Sequence, residues 1–248
     1  MKVLGLIPSR IGSTRLPAKA LLPINKIPLV IHTYKRAKLC KKLDDLIICC
    51  DSKEIMSVAK KFKSKCILTS KNHKNGTERI AEAFNSLKKK YDLIVDIQGD
   101  EPLISPYHID QVIEFHKKNL NADIVLPTLN IKLADNPSLI KVVTNLKKEV
   151  VYLSRTKIPY EFRNKVKNFK KHLSVISFKP EALLKFSRSK QTYLEKIEGI
   201  ELLRAVELGM KIKTIDLKGD SFSVDEYEDY LRAKEKMKND VFFKKYQK

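Results

Sequence analysis

The chain has 248 residues, with 50 Lys and Arg against 29 Asp and Glu, which gives a formal net charge of +21. This length is enough for one large α/β domain or for a domain with a substantial insert. The cations are spread along the whole chain without an aromatic-interleaved basic patch, which argues against a nucleic-acid partner. No apolar run reaches the ~18 residues of a membrane span, and the run before Pro8 is too short for a secretory signal. We therefore expect a cytoplasmic protein that has no membrane partner.

The four cysteines, Cys40, Cys49, Cys50 and Cys66, show neither CxxC nor Cys/His metal spacing. Cys49 and Cys50 end the apolar run "LIICC", where a cysteine behaves as a small buried hydrophobe. The sequence predicts free thiols, with no disulfide and no zinc site.

The first half of the chain alternates short apolar runs with amphipathic segments. Strands are predicted at "KVLGLI", "LIICC", "CILTS" and "LIVDIQ", and helices near residues 29–42, 53–63 and 77–90. This alternation is typical of βαβ units around a mainly parallel sheet.

The pattern changes after about residue 123. Further strands and hairpins are predicted at "DIVLPTLNI", "LIKVVTN", "EVVYLSRTKIP", "HLSVISF" and "KIKTIDL", with a turn at "TNLKKE". One helix is predicted in "YLEKIEGIELLRAVELG" and a last one after Val224. We predict a single domain in which residues 1–122 form one half, 123–216 an inserted mixed α/β region, and 217–248 a C-terminal loop and helix.

The loop "IPSRIGSTRLPAKALLPI" carries three cations, Arg10, Arg15 and Lys19, directly behind the first strand. Most exposed cations are only solvated surface charges. A strand, a flexible cationic loop and a helix in this order, however, bring backbone N–H groups and positive side chains to one point. The loop therefore predicts a phosphate-binding site.

Two acids follow strands and could complete such a site. Asp100 comes after the fourth strand of the parallel series, and ligands of open α/β sheets bind at the carboxyl ends of the strands. Asp225 in "SFSVDEYEDYL" precedes the last helix, where an N-cap explains an Asp equally well. Two carboxylates beside phosphates suit Mg²⁺. P-loop, GxSxG and GxGxxG motifs are missing from the sequence, so no competing chemistry is better supported.

These motifs, in their order, resemble the 3-deoxy-manno-octulosonate cytidylyltransferase (CMP-Kdo synthetase) family. The similarity runs from Val3 to about Lys234 through "IPSRIGSTRLPAKAL", "HKNGTERI", "DIQGDEPLI", "YLSRTKIP", "KH", "EKIEGIELLR" and "VDEYEDYL". It implies a Rossmann-like nucleotidyltransferase fold, with a mostly parallel mixed sheet flanked by helices and an inserted sugar-binding and dimerisation region. It also implies a homodimer that uses CTP and Mg²⁺ to activate a 2-keto-3-deoxy sugar acid for cell-envelope polysaccharide biosynthesis.

The resemblance also implies roles for individual residues. Phosphate binding falls to Arg10, Ser13 and Lys19, and metal binding to Asp100 and Asp225. The positions near the nucleoside and sugar are Thr77, Arg79 and Gln98. Those on the sugar-acid side are Arg155, His172, Glu198, Glu201 and Arg204. The first half would then bind CTP, and the C-terminal segment would supply the second metal acid.

The departures from the family pattern lie on the sugar side. Ser174 and Ile176 stand where the family has Gly and Tyr, and Leu202 stands where it has Gln. Losing polar groups changes which sugar a site accepts. One alternative is therefore the same reaction on a modified acid, such as 8-amino-Kdo or a nonulosonic acid. Another is a non-catalytic nucleotide-binding protein, although the phosphate cations and both metal acids are present.

Overall fold

The computed structural model describes residues 1–132 and 134–247. The strands are β1 (Val3–Ser9), β2 (Pro23–Ile24), β3 (Ile27–Pro28), β4 (Asp45–Cys50), β5 (Cys66–Leu68), β6 (Leu93–Ile97), β7 (Ile124–Ile131), β8 (Lys141–Thr144), β9 (Val150–Ser154), β10 (Phe169–His172), β11 (Val175–Phe178) and β12 (Ile212–Leu217). The helices are α1 (Leu29–Ala37), α2 (Lys53–Lys61), α3 (Gly76–Ser86), α4 (Pro106–Lys118), α5 (Pro180–Arg188), α6 (Tyr193–Glu198), α7 (Leu202–Glu207) and α8 (Tyr227–Lys238). Short 3₁₀ turns occur at Lys19–Leu21 and Phe243–Lys245.

The chain folds into two compact units. The first comprises residues 1–111 and 221–247, and the second residues 112–220. None of the helices in the described part of the chain combines the length and apolarity needed to cross a membrane.

The first unit is built on a parallel sheet with the strand order β5-β4-β1-β6. All seven residues of β1 are buried, as expected for a central strand covered on both faces. Helices α2 and α3 begin with polar caps: Ser52 accepts a hydrogen bond from the Ile55 amide, and Asn75 accepts one from the Glu78 amide. The predicted βαβ arrangement of this half is confirmed.

Gly99 lets the ends of β1 and β6 approach each other. A Cβ at this position would lie 2.5 Å from the Pro8 carbonyl oxygen, which no side chain could tolerate. The next residue, Asp100, accepts a backbone hydrogen bond of 2.9 Å from the Val224 amide. Close backbone packing therefore brings the segment before α8 alongside the carboxyl ends of the parallel strands.

The second unit is a mixed sheet centred on β7. The strand β12 pairs with β7 in parallel, while β10 and β11 pair with it in antiparallel register. The β8–β9 hairpin continues from β10. The strand predicted in "HLSVISF" is confirmed as β11, whereas His172 at the start of this segment is the last residue of β10.

The long helix predicted in "YLEKIEGIELLRAVELG" was wrong, since two helices occupy this segment. Helix α6 ends at Gly199, which adopts φ +61° and donates a backbone hydrogen bond of 2.9 Å to the Glu195 carbonyl. A left-handed glycine is a common end of a helix, and α7 starts again at Leu202. Helices α4 and α5 were not predicted from the sequence.

Candidate functional site

A cation and two carboxylates meet in the first unit. The Lys19 ammonium lies 2.8 Å from Asp100 Oδ2 and 3.2 Å from Asp225 Oδ1. Arg15 adds a contact of 3.0 Å to Asp225 Oδ1. The three side chains at the centre keep between 15% and 31% of their surface exposed, so they are reachable from solvent. The fold thus brings Lys19 together with Asp100 and Asp225, which are 81 and 206 residues away in the sequence.

The two carboxylates fit a magnesium ion. Asp100 and Asp225 each direct one carboxylate oxygen toward the Lys19 ammonium. The two negative charges therefore stabilise a positive charge at the same point. The described residues contain no group of three or more His, Cys, Asp or Glu side chains able to hold a metal. Two carboxylates match the donor set of Mg²⁺ when substrate phosphates supply further ligands.

The rest of the phosphate loop is anchored by an acid that the sequence analysis missed. Arg10 is exposed and Ser13 half-buried, whereas the intervening Ile11 amide donates a hydrogen bond of 2.9 Å to Asp51 Oδ1. The other oxygen of Asp51 forms an ion pair of 3.3 Å with Arg79. Asp51 follows the strand run "LIICC" directly, the same signal that marked Asp100, and could have been found by it.

The remaining nucleotide-side predictions lie around α3 and the end of β6. Arg79 is 3% exposed and donates from Nη1 to Thr69 Oγ1 at 2.8 Å. Thr77 is buried in the first turn of α3. The amide nitrogen of Gln98 donates to Asp96 Oδ2 at 2.9 Å. Other residues of the protein therefore fix the position of Arg79. A nucleotide could contact only the guanidinium N–H groups that these bonds do not use.

In the second unit, Arg155 and Glu198 hold each other. Glu198 accepts hydrogen bonds from Ser154 Oγ at 2.7 Å and from the Arg155 amide at 3.0 Å. The Arg155 guanidinium donates to the backbone carbonyls of Pro137, Glu198 and Gly199. The ends of β9 and α6 are joined by these bonds, which occupy most of both side chains.

Beneath Arg155 lies a buried lysine that the sequence analysis also missed. Lys141 is 0% exposed, and its ammonium donates to the carbonyl oxygens of Arg155 and Asn136. Burial, followed by the charge of Arg155, lowers the pKa of Lys141. A lysine inside the apolar run "LIKVV" gave no sign of these carbonyl partners, because hydrophobic periodicity does not report which backbone groups a side chain contacts.

His172, one of the predicted sugar-side residues, has a ring nitrogen that is not used in a hydrogen bond within the described part of the chain. Its ring Nε2 is buried and has no hydrogen-bond partner among the described residues. Burial, with a smaller contribution from Lys171, lowers the pKa of His172 from 6.5 to about 4. The imidazole is therefore neutral near pH 7. It can form a hydrogen bond with a ligand, but it does not supply a positive charge to a substrate carboxylate.

Arg204 lies inside the second unit. It is 0% exposed, and its Nη2 forms an ion pair of 2.6 Å with Glu195 Oε1. The guanidinium stacks 4.3 Å from the ring centroid of Phe186. Glu201 is half-buried at the start of α7. The structure thus shows Arg204 joining α5, α6 and α7, and its contact with a sugar stays a prediction.

Two of the residues that depart from the family pattern are also buried. Ile176 is 6% exposed in β11, and Leu202 is 4% exposed in the first turn of α7. Ser174 is half-buried. The apolar replacements therefore pack within the second unit and are not solvated surface changes.

Comparison with known proteins adds four findings. A family model described as cytidylyltransferase matches residues 4–212. The 3-deoxy-manno-octulosonate cytidylyltransferase of Fusobacterium nucleatum is 40% identical over 92% of this chain and 94% of its own. The 8-amino-3,8-dideoxy-manno-octulosonate cytidylyltransferase of Shewanella oneidensis is 35% identical over 96% and 99%. A solved CMP:2-keto-3-deoxy-manno-octonic acid synthetase, complexed with CTP, superposes with a TM-score of 0.91 at 27% identity, covering 96% of this chain and 99% of that one.

Proposed function

Because this chain belongs to the cytidylyltransferase family, we propose that it transfers the cytidylyl group of CTP to a 2-keto-3-deoxy sugar acid of the Kdo type, with release of pyrophosphate. The product, a CMP-sugar, would serve cell-envelope polysaccharide biosynthesis in the cytoplasm. The names of the relatives support the substrate class. The observation that carries the proposal is the meeting of Lys19 with Asp100 and Asp225 behind the first strand.

The first unit would bind and orient CTP. Arg10, Ser13 and Lys19 lie in the loop after β1, where cations and backbone amides suit the β- and γ-phosphates. Phosphoryl-type transfer depends mainly on positioning and on neutralising charge. These residues would hold the departing pyrophosphate in line with the attacking anomeric hydroxyl, and Asp51 would keep the loop in place through the Ile11 amide.

Asp100 and Asp225 would hold Mg²⁺, which supplies charge neutralisation at the phosphates and favours ionisation of the attacking hydroxyl. With a metal on these carboxylates, the Lys19 ammonium no longer needs them as partners. It is then available to donate to a phosphate oxygen.

The second unit would recognise the sugar acid. The unpartnered Nε2 of His172 suits a sugar hydroxyl or carboxylate oxygen, and Glu201 offers an acceptor at the start of α7. Ile176 and Leu202 favour a second candidate, a modified sugar acid, because they remove a hydroxyl and an amide from positions where the family has them. The Shewanella relative named for the 8-amino acid agrees with that candidate.

Release of pyrophosphate tests the function directly. Each nucleoside triphosphate is combined with Mg²⁺ and with Kdo, 8-amino-Kdo or a nonulosonic acid. We expect turnover with CTP and with one of the octulosonic acids, and little with ATP or GTP. Equal rates with ATP would move the protein to another nucleotidyltransferase activity. CTP binding without turnover on any acid would instead support a non-catalytic nucleotide-binding protein.

A homodimer is part of the proposal. The second unit exposes large apolar side chains that a partner subunit would cover: Val151, Tyr160, Phe162, Tyr193 and Ile197 are between 53% and 83% exposed. Exposed apolar surface of this kind is typical of protein interfaces. Light scattering coupled to gel filtration would give twice the chain mass of 28.6 kDa, and the mass of a single chain would contradict it.

A further inference from the structure

Two cysteines of the first unit lie side by side on neighbouring strands. The sulfur atoms of Cys50, at the end of β4, and Cys66, at the start of β5, are 3.3 Å apart. Both are free thiols. In the parallel register Cys50 is opposite Leu68 and Cys66 is opposite Ile48, so the two sulfurs meet diagonally on one face of the sheet. Cys49 alternates to the other face and takes no part.

We propose that Cys50 and Cys66 form a dithiol that a peroxide oxidises to a disulfide, and that this disulfide weakens CTP binding through Thr69 and Arg79. The second half of this proposal rests on the function proposed above. The first half depends only on the sulfur geometry.

The pair can react from the outside. Cys66 is half-buried and Cys50 fully buried, so an oxidant reaches Cys66 first. Either sulfur can be the donor of the hydrogen bond between them. This hydrogen bond lowers the pKa of the Cys50 thiol and raises the pKa of the Cys66 thiol, so the first proton of the pair leaves from Cys50.

The chemistry balances with hydrogen peroxide as the oxidant. The thiolate of the pair attacks one oxygen of the peroxide and forms a sulfenic acid, and the other oxygen leaves as water once it is protonated. The second sulfur, as it loses its proton, then displaces the sulfenic oxygen as a second water, and the S–S bond forms. Two thiols and one peroxide thus give one disulfide and two waters. A thiol reductant reverses the step by exchange.

The position of β5 explains how the disulfide would affect the predicted nucleotide-binding residues. Closing an S–S bond of about 2.05 Å requires the strands to shift. The strand that can move is β5, since it has three residues and lies at the edge of the sheet. Thr69 follows β5 directly and bonds to the Cys50 carbonyl through both its amide and its hydroxyl.

The displacement passes from Thr69 to the ion pair beside the phosphate loop. Thr69 Oγ1 accepts from Arg79 at 2.8 Å, and Arg79 in turn pairs with Asp51, which holds the Ile11 amide. A shift of Thr69 therefore changes the partners of a buried guanidinium and the anchor of the loop. Because Arg79 and this loop are the predicted nucleotide contacts, the affinity for CTP should fall.

The experiment counts thiols and measures CTP binding on the same sample. The protein is treated with hydrogen peroxide, its free thiols are alkylated under denaturing conditions, and tryptic peptides are identified by mass spectrometry. We expect two alkylated cysteines of the four and a link between the peptides that contain residues 50 and 66. The dissociation constant for CTP, from calorimetry, should rise at least threefold and recover with dithiothreitol.

Variants separate this pair from other thiol chemistry. Cys66→Ser should abolish both the link and the change in CTP affinity, and Cys50→Ser provides a second test if the first variant folds poorly. Cys40→Ser, which removes a buried thiol outside the pair, should behave as the unmodified protein does.

Four alkylated cysteines after peroxide would overturn the dithiol. A disulfide that leaves CTP affinity unchanged would overturn its link to the nucleotide. Absence of turnover with every sugar acid would count against the proposed function alone, because the thiol count does not depend on it.

Discussion

The predicted nucleotide residues of the first unit and the predicted sugar residues of the second are held in different ways. In the first unit, Lys19, Asp100 and Asp225 contact one another and remain partly exposed. In the second, Arg204 is sealed against Glu195, while Arg155 is bonded to three carbonyls. Two residues that match the same family motifs thus differ in setting: Lys19 lies in a reachable polar cluster, and Arg204 lies within the packing.

This difference separates two reasons for which a charged residue can stand in a motif. An exposed ion pair in water contributes roughly 0–1 kcal/mol to stability, so the cluster around Lys19 does little for the fold and is free to exchange its partners for a ligand. A buried pair such as Arg204–Glu195 costs several kcal/mol when one partner is lost. Changes in the cluster around Lys19 should therefore impair catalysis, and changes at Arg204 should impair folding.

The largest effect is expected for Asp100→Ala. Removing one of the two proposed metal carboxylates should reduce pyrophosphate release by about 10³-fold, the upper end of the range found when a group stabilising transition-state charge is deleted. The midpoint of urea unfolding should hardly move, because the lost contact with Lys19 is partly exposed. Glu228→Ala, an exposed acid in the first turn of α8, is the control and should keep its activity. Near-normal turnover of the Asp100 variant would show that the metal assignment is wrong.

Arg204→Met should act on the fold instead. The change leaves Glu195 buried without its partner, and we expect a loss of about 3–5 kcal/mol in the free energy of unfolding. The double variant Arg204→Met with Glu195→Met removes both charges and should recover much of this loss. Urea unfolding measures all three proteins. If the single variant keeps its stability but loses affinity for the sugar acid, Arg204 contacts the substrate and the contrast between the units is broken.

The parallel part of the fold could be predicted from the sequence because its strands are buried on both faces. Continuous apolar runs mark β1, β4 and β6, and the polar ends of these runs mark the site. The match of residues 4–212 to the cytidylyltransferase family model and the TM-score of 0.91 confirm the predicted fold class and the suspected family.

What the sequence did not reveal depends on contacts that hydrophobic periodicity does not report. Gly199 ends a helix because its backbone turns left-handed, which the surrounding helical pattern hid. Lys141 and Arg204 lie in elements whose local pattern is that of an ordinary strand and helix. Their burial follows from carbonyls and a carboxylate supplied by other segments, and no periodicity records such partners.

Buried histidines outside the candidate site, His32 in the first unit and His116 in the second, should respond to acid in the same way. Burial lowers the pKa of His32 in the first unit and of His116 in the second from 6.5 to about 4. Between these values the unfolded chain binds a proton that the folded chain does not, so stability is present above pH 6.5 and is lost as the pH falls toward 4. Each histidine should cost about 2 kcal/mol between pH 7 and pH 5.

The variant His116→Gln tests this by urea unfolding at pH 7 and pH 5. It should lower stability at pH 7 through the hydrogen bonds to Ser177 and Ala122, but its remaining pH dependence should be about 2 kcal/mol smaller than that of the unchanged protein. An unchanged pH dependence would mean that His116 titrates normally in the folded state. The same measurement on His32→Gln shows whether the two units share this sensitivity.

The smallest effect is expected at Leu202, where the second unit departs from its family. Leu202→Gln restores the family's amide at a site that is 4% exposed, where a hydrogen bond to a sugar hydroxyl is worth about 1–3 kcal/mol because the alternative is an unpaired buried group. If Leu202 faces the sugar, kcat/KM for Kdo should rise about tenfold relative to kcat/KM for 8-amino-Kdo. Leu203→Gln, at the neighbouring position that is 0% exposed, is the matched control and should lower stability without changing this ratio. An unchanged ratio in the Leu202 variant, together with lost stability, would place Leu202 with Arg204 among the residues that pack the second unit. A preference for a modified sugar acid, if kinetics show one, would then not be explained by Leu202, and Ile176 would be the next residue to test.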